Sequence, residues 1–159
     1  MKYHEKWIEQ AFIEAEKAYQ KNEVPVGAVI VFDDKIIGRG HNLTETLQDP
    51  TAHAEILAIT AAANYLAHWR LDKTAIYVTL EPCPMCAGAI LNSRIPEVIF
   101  GAFDSRFGAA GSVIDVFKNN GLNFPVKVIP GVLQYKCETL IKDFFAKLRV
   151  ASFEKLSPN

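Results

Sequence analysis

Thr74-Ala75-Ile76-Tyr77-Val78-Thr79-Leu80 runs straight into Glu81-Pro82-Cys83-Pro84-Met85-Cys86 and then into Ala87-Gly88-Ala89-Ile90-Leu91-Asn92-Ser93. The β-branched and aromatic content of the first segment is that of a strand. Glu81-Pro82 interrupts it, and Pro84 presets the backbone for the first turn of a small-residue helix over 84–93. Strand, Pro-Cys turn and helix follow one another without a linker. On the N-terminal side, residues 2–22 place Trp7, Ile8, Ala11, Phe12, Ala15 and Ala18 at three- and four-residue steps, which predicts an amphipathic helix. Residues 24–32 read as a buried strand, Asp33-Asp34 as a turn, and 35–40 as the hairpin partner. A polar loop, 41–51, ends in Asp49-Pro50-Thr51 before a buried helix over 52–66. On the C-terminal side, 97–102 and 125–129 are short strands. Residues 136–149 set Leu140, Ile141, Phe144, Phe145 and Leu148 on one helical face. Helices alternating with central strands, a hairpin first, predict an α/β chain: a three-layer α/β/α sandwich around a mixed five-stranded sheet.

The chain has 159 residues, 50% hydrophobic and 22% charged, which suits one buried core and excludes a disordered or fibrous class. Residues 1–150 are expected to form a single domain and 151–159 a tail dispensable for the fold. No apolar run approaches the roughly 20 residues that span a bilayer, and the first residues mix charge with apolar side chains, unlike a secretory leader. A net charge of −1 argues against binding polyanions by bulk charge, while leaving room for a local basic face. Three cysteines cannot all pair, and Cys83 and Cys86 are too close to staple a fold. A reducing, cytoplasmic compartment follows, with the two thiols suspected as ligands.

His53-Ala54-Glu55 and Cys83-Pro84-Met85-Cys86 each open a helix. Zinc takes imidazole nitrogen and thiolate sulfur in a tetrahedral shell, with three protein ligands plus water at catalytic sites. His53, Cys83 and Cys86 make three. A Cys-x-x-Cys at a helix N-terminus sets its sulfurs beside free N–H groups and the positive end of the dipole, which favours thiolate. Glu55 shares the irregular helix start with His53, so both can project past the helix end. A carboxylate within reach of a metal-held water can carry its proton to a leaving atom, which predicts hydrolytic attack at an electrophilic carbon. Taken singly, a Cys-x-x-Cys is also a redox motif or half a zinc knuckle, and a His-x-Glu an ordinary helix surface. Cys137 either completes a structural four-ligand site or is a buried, unreactive thiol.

In combination these residues match H-x-E…P-C-x-x-C, the signature of the zinc nucleobase deaminases. Beyond it, Glu23-Val24-Pro25-Val26-Gly27-Ala28, the stretches 49–55, 79–83 and 85–89, Gly101-Ala102, Asp104 and residues 108–112 resemble the bacterial tRNA adenosine deaminases over nearly the whole chain. The resemblance implies a cytidine-deaminase-like fold, a homodimer, and one zinc ion per subunit held by His53, Cys83 and Cys86. It implies deamination of adenosine to inosine at the wobble position of a tRNA anticodon stem-loop. An activated water would attack C6 of adenine while Glu55 takes its proton, delivers it to N1 and then protonates departing ammonia. The same resemblance assigns Asn42 a hydrogen bond to the flipped nucleotide, Ala54 a backbone contact to the base, Val26 an apolar wall, and Asp104 a place near the substrate strand.

Other readings of these residues stay open. Asn42 alone is also a turn residue closing the second strand. Residues 108–112 lack the Lys-Ser/Thr of a phosphate loop and read as a close-packed turn. Arg106, and Lys136, Lys142, Lys147 and Arg149 on the last helix, are either RNA-backbone contacts or ordinary solvated charges. The chain departs from the family pattern at Asn123-Phe124-Pro125, where Asn-His is common, at Arg106, where Lys is common, and at Phe107, where a small residue is usual. Guanine, cytosine or nucleoside deaminases of nucleotide salvage share the constellation, and the 104–112 segment favours the tRNA enzymes over them. A riboflavin-pathway deaminase usually has more widely spaced cysteines. A non-enzymatic, zinc-stabilised RNA-binding subunit would need the ligands but not the proton carrier, so the retained Glu55 argues against it.

Overall fold

Asp33 and Asp34 both adopt the left-handed conformation, with φ of 49° and 55°, the geometry of the two-residue turn whose twist matches a β-hairpin. The computed structural model, which describes residues 2–118 and 120–156, builds the rest of the fold around that hairpin. Helix α1 (Lys2–Gln20) precedes its strands β1 (Gly27–Phe32) and β2 (Lys35–His41). Then come the short helix α2 (Thr44–Leu47), α3 (Ala54–Leu66), β3 (Ala75–Leu80), α4 (Pro84–Asn92), β4 (Glu97–Ala102), β5 (Lys127–Ile129) and α5 (Gln134–Leu156). Among the described residues the strands form one sheet in the order β2-β1-β3-β4-β5. Strand β1 is antiparallel to β2 and β3, and β3, β4 and β5 are parallel. The mixed five-stranded α/β/α sandwich expected from the sequence is the observed one.

Alternation along the strands creates the three layers. Ala28, Ile30, Ile76, Val78, Val98 and Phe100 face one way, onto Ala54, Ala58 and Ala62 of α3 and Ala87 and Ile90 of α4. Val29, Val31, Tyr77 and Ile99 face the other way, onto Trp7, Ile8 and Ala11 of α1 and Cys137 of α5. Cys137 is therefore a core thiol on the far side of the sheet from Cys86. Burial holds it up at about 12.

Helix α3 lies on β2 across a seam of small residues. A methyl group at Gly38 would come within 2.3 Å of the Ala58 carbonyl, and one at Gly40 within 2.2 Å of the Ala54 carbonyl. Here glycine is demanded by close approach of two backbones. Gly40→Ala is expected to lower stability by about 1–3 kcal/mol, the usual range for overpacking a filled interior. Urea unfolding of the variant beside wild type measures it, and an unchanged midpoint would show that α3 can lift away.

The boundaries differ from the sequence expectation in instructive places. The loop 41–51 contains α2, which is held by a residue distant in sequence: the buried Glu23 carboxylate accepts from the amides of Glu45 (3.2 Å) and Thr46 (2.6 Å) and from the Thr46 hydroxyl (2.7 Å). Burial works to raise the Glu23 pKa, but these hydrogen bonds outweigh it and leave the carboxyl below its usual range. Helix α3 begins at Ala54 rather than 52, because Asp49 folds the chain back first, its Oδ1 accepting from the Thr51 amide and hydroxyl. The last helix continues through Leu156, so 151–156 of the expected tail are helical, with 151–155 exposed. No helix breaker intervenes before Pro158. Residues 157–159 of that tail lie outside the described residues.

Candidate active site

Because β1 runs opposite to β2 and β3, the start of β1 and the ends of β2 and β3 meet at one edge of the sheet, with the end of β4 beside them. Val26 stands just before β1, Asn42 just after β2, Cys83 after β3 and Asp104 after β4. Helices α3 and α4 both start at this edge. Residues scattered over 79 positions are thereby gathered by topology alone, at the carboxyl ends of the parallel strands where open α/β sheets form their sites.

His53 and Cys83 are the N-cap residues of α3 and α4. Both are extended (φ −81°, ψ 154° and φ −75°, ψ 171°), so their side chains leave before helical geometry begins. Pro84 occupies the first turn of α4, where its missing N–H is no loss. His53 Nδ1 lies 3.6 Å from Cys83 Sγ and 3.5 Å from Cys86 Sγ, and the ligand atoms all fall within 4.8 Å of one another. Tetrahedral zinc with ordinary Zn–N and Zn–S bonds would separate nitrogen and sulfur by about 3.6 Å. The donor set and its spacing thus fit a metal ion, with the three protein ligands usual at catalytic rather than structural sites. A hydrogen bond from the Cys86 thiol, outweighing burial, draws Cys83 down to about 4. That same bond, with burial, holds Cys86 above the ordinary thiol range.

Glu55, in the first turn of α3, is only 4% exposed. Burial pushes its carboxyl up to about 7, the range in which one group can both take and return a proton at neutral pH. Its side chain reaches Cys86, so the proton carrier and the ligand triad occupy one pocket.

Asn42 is buried, and its Oδ1 accepts the Ala54 N–H at 2.9 Å. It caps α3 from outside the helix, because the N-cap residue His53 makes no capping bond of its own. The turn-closing reading of Asn42 is thus replaced by a capping one, and the Ala54 N–H is already engaged. Val26 is buried with Ala54 and Ala87 in the core, and its carbonyl accepts the Asn42 N–H at 3.1 Å. Asp104 is half-buried and shapes its own loop: Oδ1 accepts from the amides of Arg106 (2.9 Å) and Phe107 (3.1 Å).

Of the basic residues on α5, Lys136 is occupied within the fold, paired with Glu9 and lying 4.3 Å from the Phe12 ring centroid. Lys142 meets Glu138 at 3.3 Å, and Arg149 is exposed. The sequence reading assigned no role to Glu81, although it stands between an apolar strand and the Pro-Cys turn. It is 2% exposed and gathers four donors from the 104–112 loop. The signal available was an acid in a place where the neighbouring pattern requires burial.

Residues 2–149 match the MafB19-like deaminase family. The tRNA-specific adenosine deaminase of Bacillus subtilis is 46% identical over 149 residues, which is 94% of this chain and 92% of that protein. The chain belongs to the tRNA-specific adenosine deaminase family. A solved structure from work on A-to-I editing by tRNA:A34 deaminases at the wobble position of transfer RNA is 40% identical to this deaminase. It superposes with a TM-score of 0.81, covering 84% of this chain and 97% of that one. The Bacillus subtilis guanine deaminase structure, 37% identical, covers 80% of this deaminase and 82% of its own chain with a TM-score of 0.62. This deaminase has the cytidine-deaminase-like fold, and its likeness to the wobble-editing structure is the closer of the two.

Proposed function

We propose that this chain converts adenosine to inosine by hydrolysis at the wobble position of a tRNA anticodon, with one zinc ion held by His53, Cys83 and Cys86. The observation that carries the reading is a buried carboxyl, Glu55, set against a His-Cys-Cys cluster of metal-ligand spacing. Bound zinc supplies Lewis acidity that brings the pKa of a coordinated water to about 7. Glu55 then manages the protons. As carboxylate it takes one from the water that adds to C6, and as acid it gives that proton to N1. It accepts the second proton of the water and passes it to the amino group, so that the C6–N bond breaks and ammonia leaves. Val26 supplies an apolar wall beside the base, and Asn42, while capping α3, turns its amide toward the nucleotide.

The 103–107 loop offers the flanking bases aromatic surface, Phe103 and Phe107 being 46% and 59% exposed, with the Arg106 guanidinium over the Phe107 ring. Unstacked RNA bases are typically held on aromatic rings and guanidinium planes. A homodimer and a cytoplasmic location belong to the same reading. Among the described residues no helix is long and apolar enough to cross a membrane.

The test is deamination by zinc-loaded protein of an anticodon stem-loop carrying adenosine at the wobble position, with free adenosine, cytidine and guanine alongside. Inosine formed in the RNA alone is the expected result. Turnover of guanine instead would keep the chemistry of Glu55 and move the protein to nucleotide salvage.

A further inference from the structure

The 103–112 loop is tied to the metal-binding turn at its root. Glu81 Oε1 accepts the amides of Ala110 (3.0 Å) and Ser112 (3.0 Å). Its Oε2 accepts the amide of Asp104 (3.0 Å) and the Ser112 hydroxyl. The next residue, Pro82, accepts the Ala109 N–H at 2.8 Å, and the one after that is Cys83. A methyl group at Gly108 would lie 2.4 Å from Glu81 Oε2 and from the Asp104 carbonyl, so the loop closes over the carboxylate only with glycine there. Both ends of the loop and its middle thus converge on one buried side chain two residues from a metal ligand. The side chains facing outward from the loop are Phe103, Arg106 and Phe107.

We propose that Glu81 is a positioning residue: it fixes the 103–112 loop against the Cys83 turn so that the loop's exposed face is preformed for the substrate strand, and it touches neither the reacting atoms nor the metal. The proposal rests on the RNA-editing function argued above. A preformed loop spares the ordering of its own backbone when RNA binds, so the effect belongs in affinity rather than in the chemical step.

The chemistry of the hub gives a specific test in Glu81→Gln. A carboxylate accepts on both oxygens, whereas an amide presents NH₂ on one side. Placed at Oε1, that group would oppose two backbone N–H groups. Placed at Oε2, it opposes only the Asp104 N–H, since the Ser112 hydroxyl can reverse and accept. Gln therefore settles in the second orientation and releases the Asp104 end of the loop.

For zinc-loaded Glu81→Gln the expected result is a KM for the anticodon stem-loop raised about tenfold, the scale of one lost hydrogen bond to a charged group, with kcat within about threefold of wild type. Metal content should be unchanged, and amide hydrogen exchange should quicken in 103–112 but not in α3 or α4. Glu81→Asp, which keeps both acceptors on a shorter arm, should recover part of the affinity. An equal fall in kcat and kcat/KM, unchanged exchange in the loop, or an unchanged KM would each overturn the assignment. If Glu81→Gln does not fold, Ser112→Ala removes one donor of the four, and the same split should appear at about two- to threefold. Wild-type protein that fails to deaminate the stem-loop overturns the functional reading, while loop exchange still decides whether Glu81 holds the loop.

Discussion

Glu55→Gln is expected to lower kcat on the anticodon stem-loop by ~10²–10⁴-fold, the range set by removing a positioned proton carrier, while metal content and folding stay as in wild type. The two side chains have the same shape, and the site is nearly dry, with Glu55 4% exposed. What changes is the ability to hold and release a proton. Burial has already pushed the Glu55 carboxyl up to about 7, so the neutral amide imitates its protonated form and adds no desolvation penalty. Stability should therefore not fall. Single-turnover kinetics with metal analysis on the same sample separate the possibilities. A rate within threefold of wild type would remove Glu55 from catalysis, and loss of metal alongside the rate would make it a ligand.

The parts of this fold that were legible in the sequence are those whose signal is local. Val78 and Thr79, Pro82 and Pro84, and the small residues after Cys86 announce a strand, a turn and a helix in twenty consecutive residues. Asp33-Asp34 announces the hairpin, and the three- and four-residue steps of Trp7, Ile8, Ala11 and Ala15 announce α1 and its buried face. The candidate site was legible because two short motifs each sat at a helix start, and the antiparallel β1 carries those starts to one edge of the sheet.

The parts that were not legible depend on partners far along the chain. Helix α2, four residues long, is too short to stand on propensity, and exists because Glu23 reaches its amides from about twenty positions away. Asn42 caps α3 across twelve positions, which no N-cap pattern adjacent to the helix would reveal. Glu81 holds a loop that begins 23 positions later. In each case a polar side chain is buried because backbone N–H groups need an acceptor, and sequence alone shows neither the need nor the proximity. The two acids, Glu23 and Glu81, perform the same task on opposite sides of the site: each replaces a regular ladder with one carboxylate and fixes an irregular segment beside the ligand triad.

Cys86→Ala is expected to reduce metal content from about one ion per chain to near zero and to abolish turnover. Two remaining donors, His53 and Cys83, leave a tetrahedral ion short of the three protein ligands that catalytic zinc sites use. The helix itself should survive, since alanine is the best helix former and the lost sulfur, fully buried in α4, leaves a gap worth about 1 kcal/mol. The larger loss is linkage, because an ion that binds only the folded chain stabilises it by about 4 kcal/mol when present at a thousand times its dissociation constant. Thermal unfolding of the variant should then coincide with that of chelator-treated wild type, and chelator should not shift the variant further. Cys137→Ala is the matched control, another buried thiol on the opposite face of the sheet, packed against Gly101; it should lose a similar packing increment and keep its metal. If Cys86→Ala retained a full complement of metal, the ligand set would be wrong. If Cys137→Ala lost its metal too, the ion would depend on the integrity of the whole fold rather than on the three side chains gathered at one edge of the sheet.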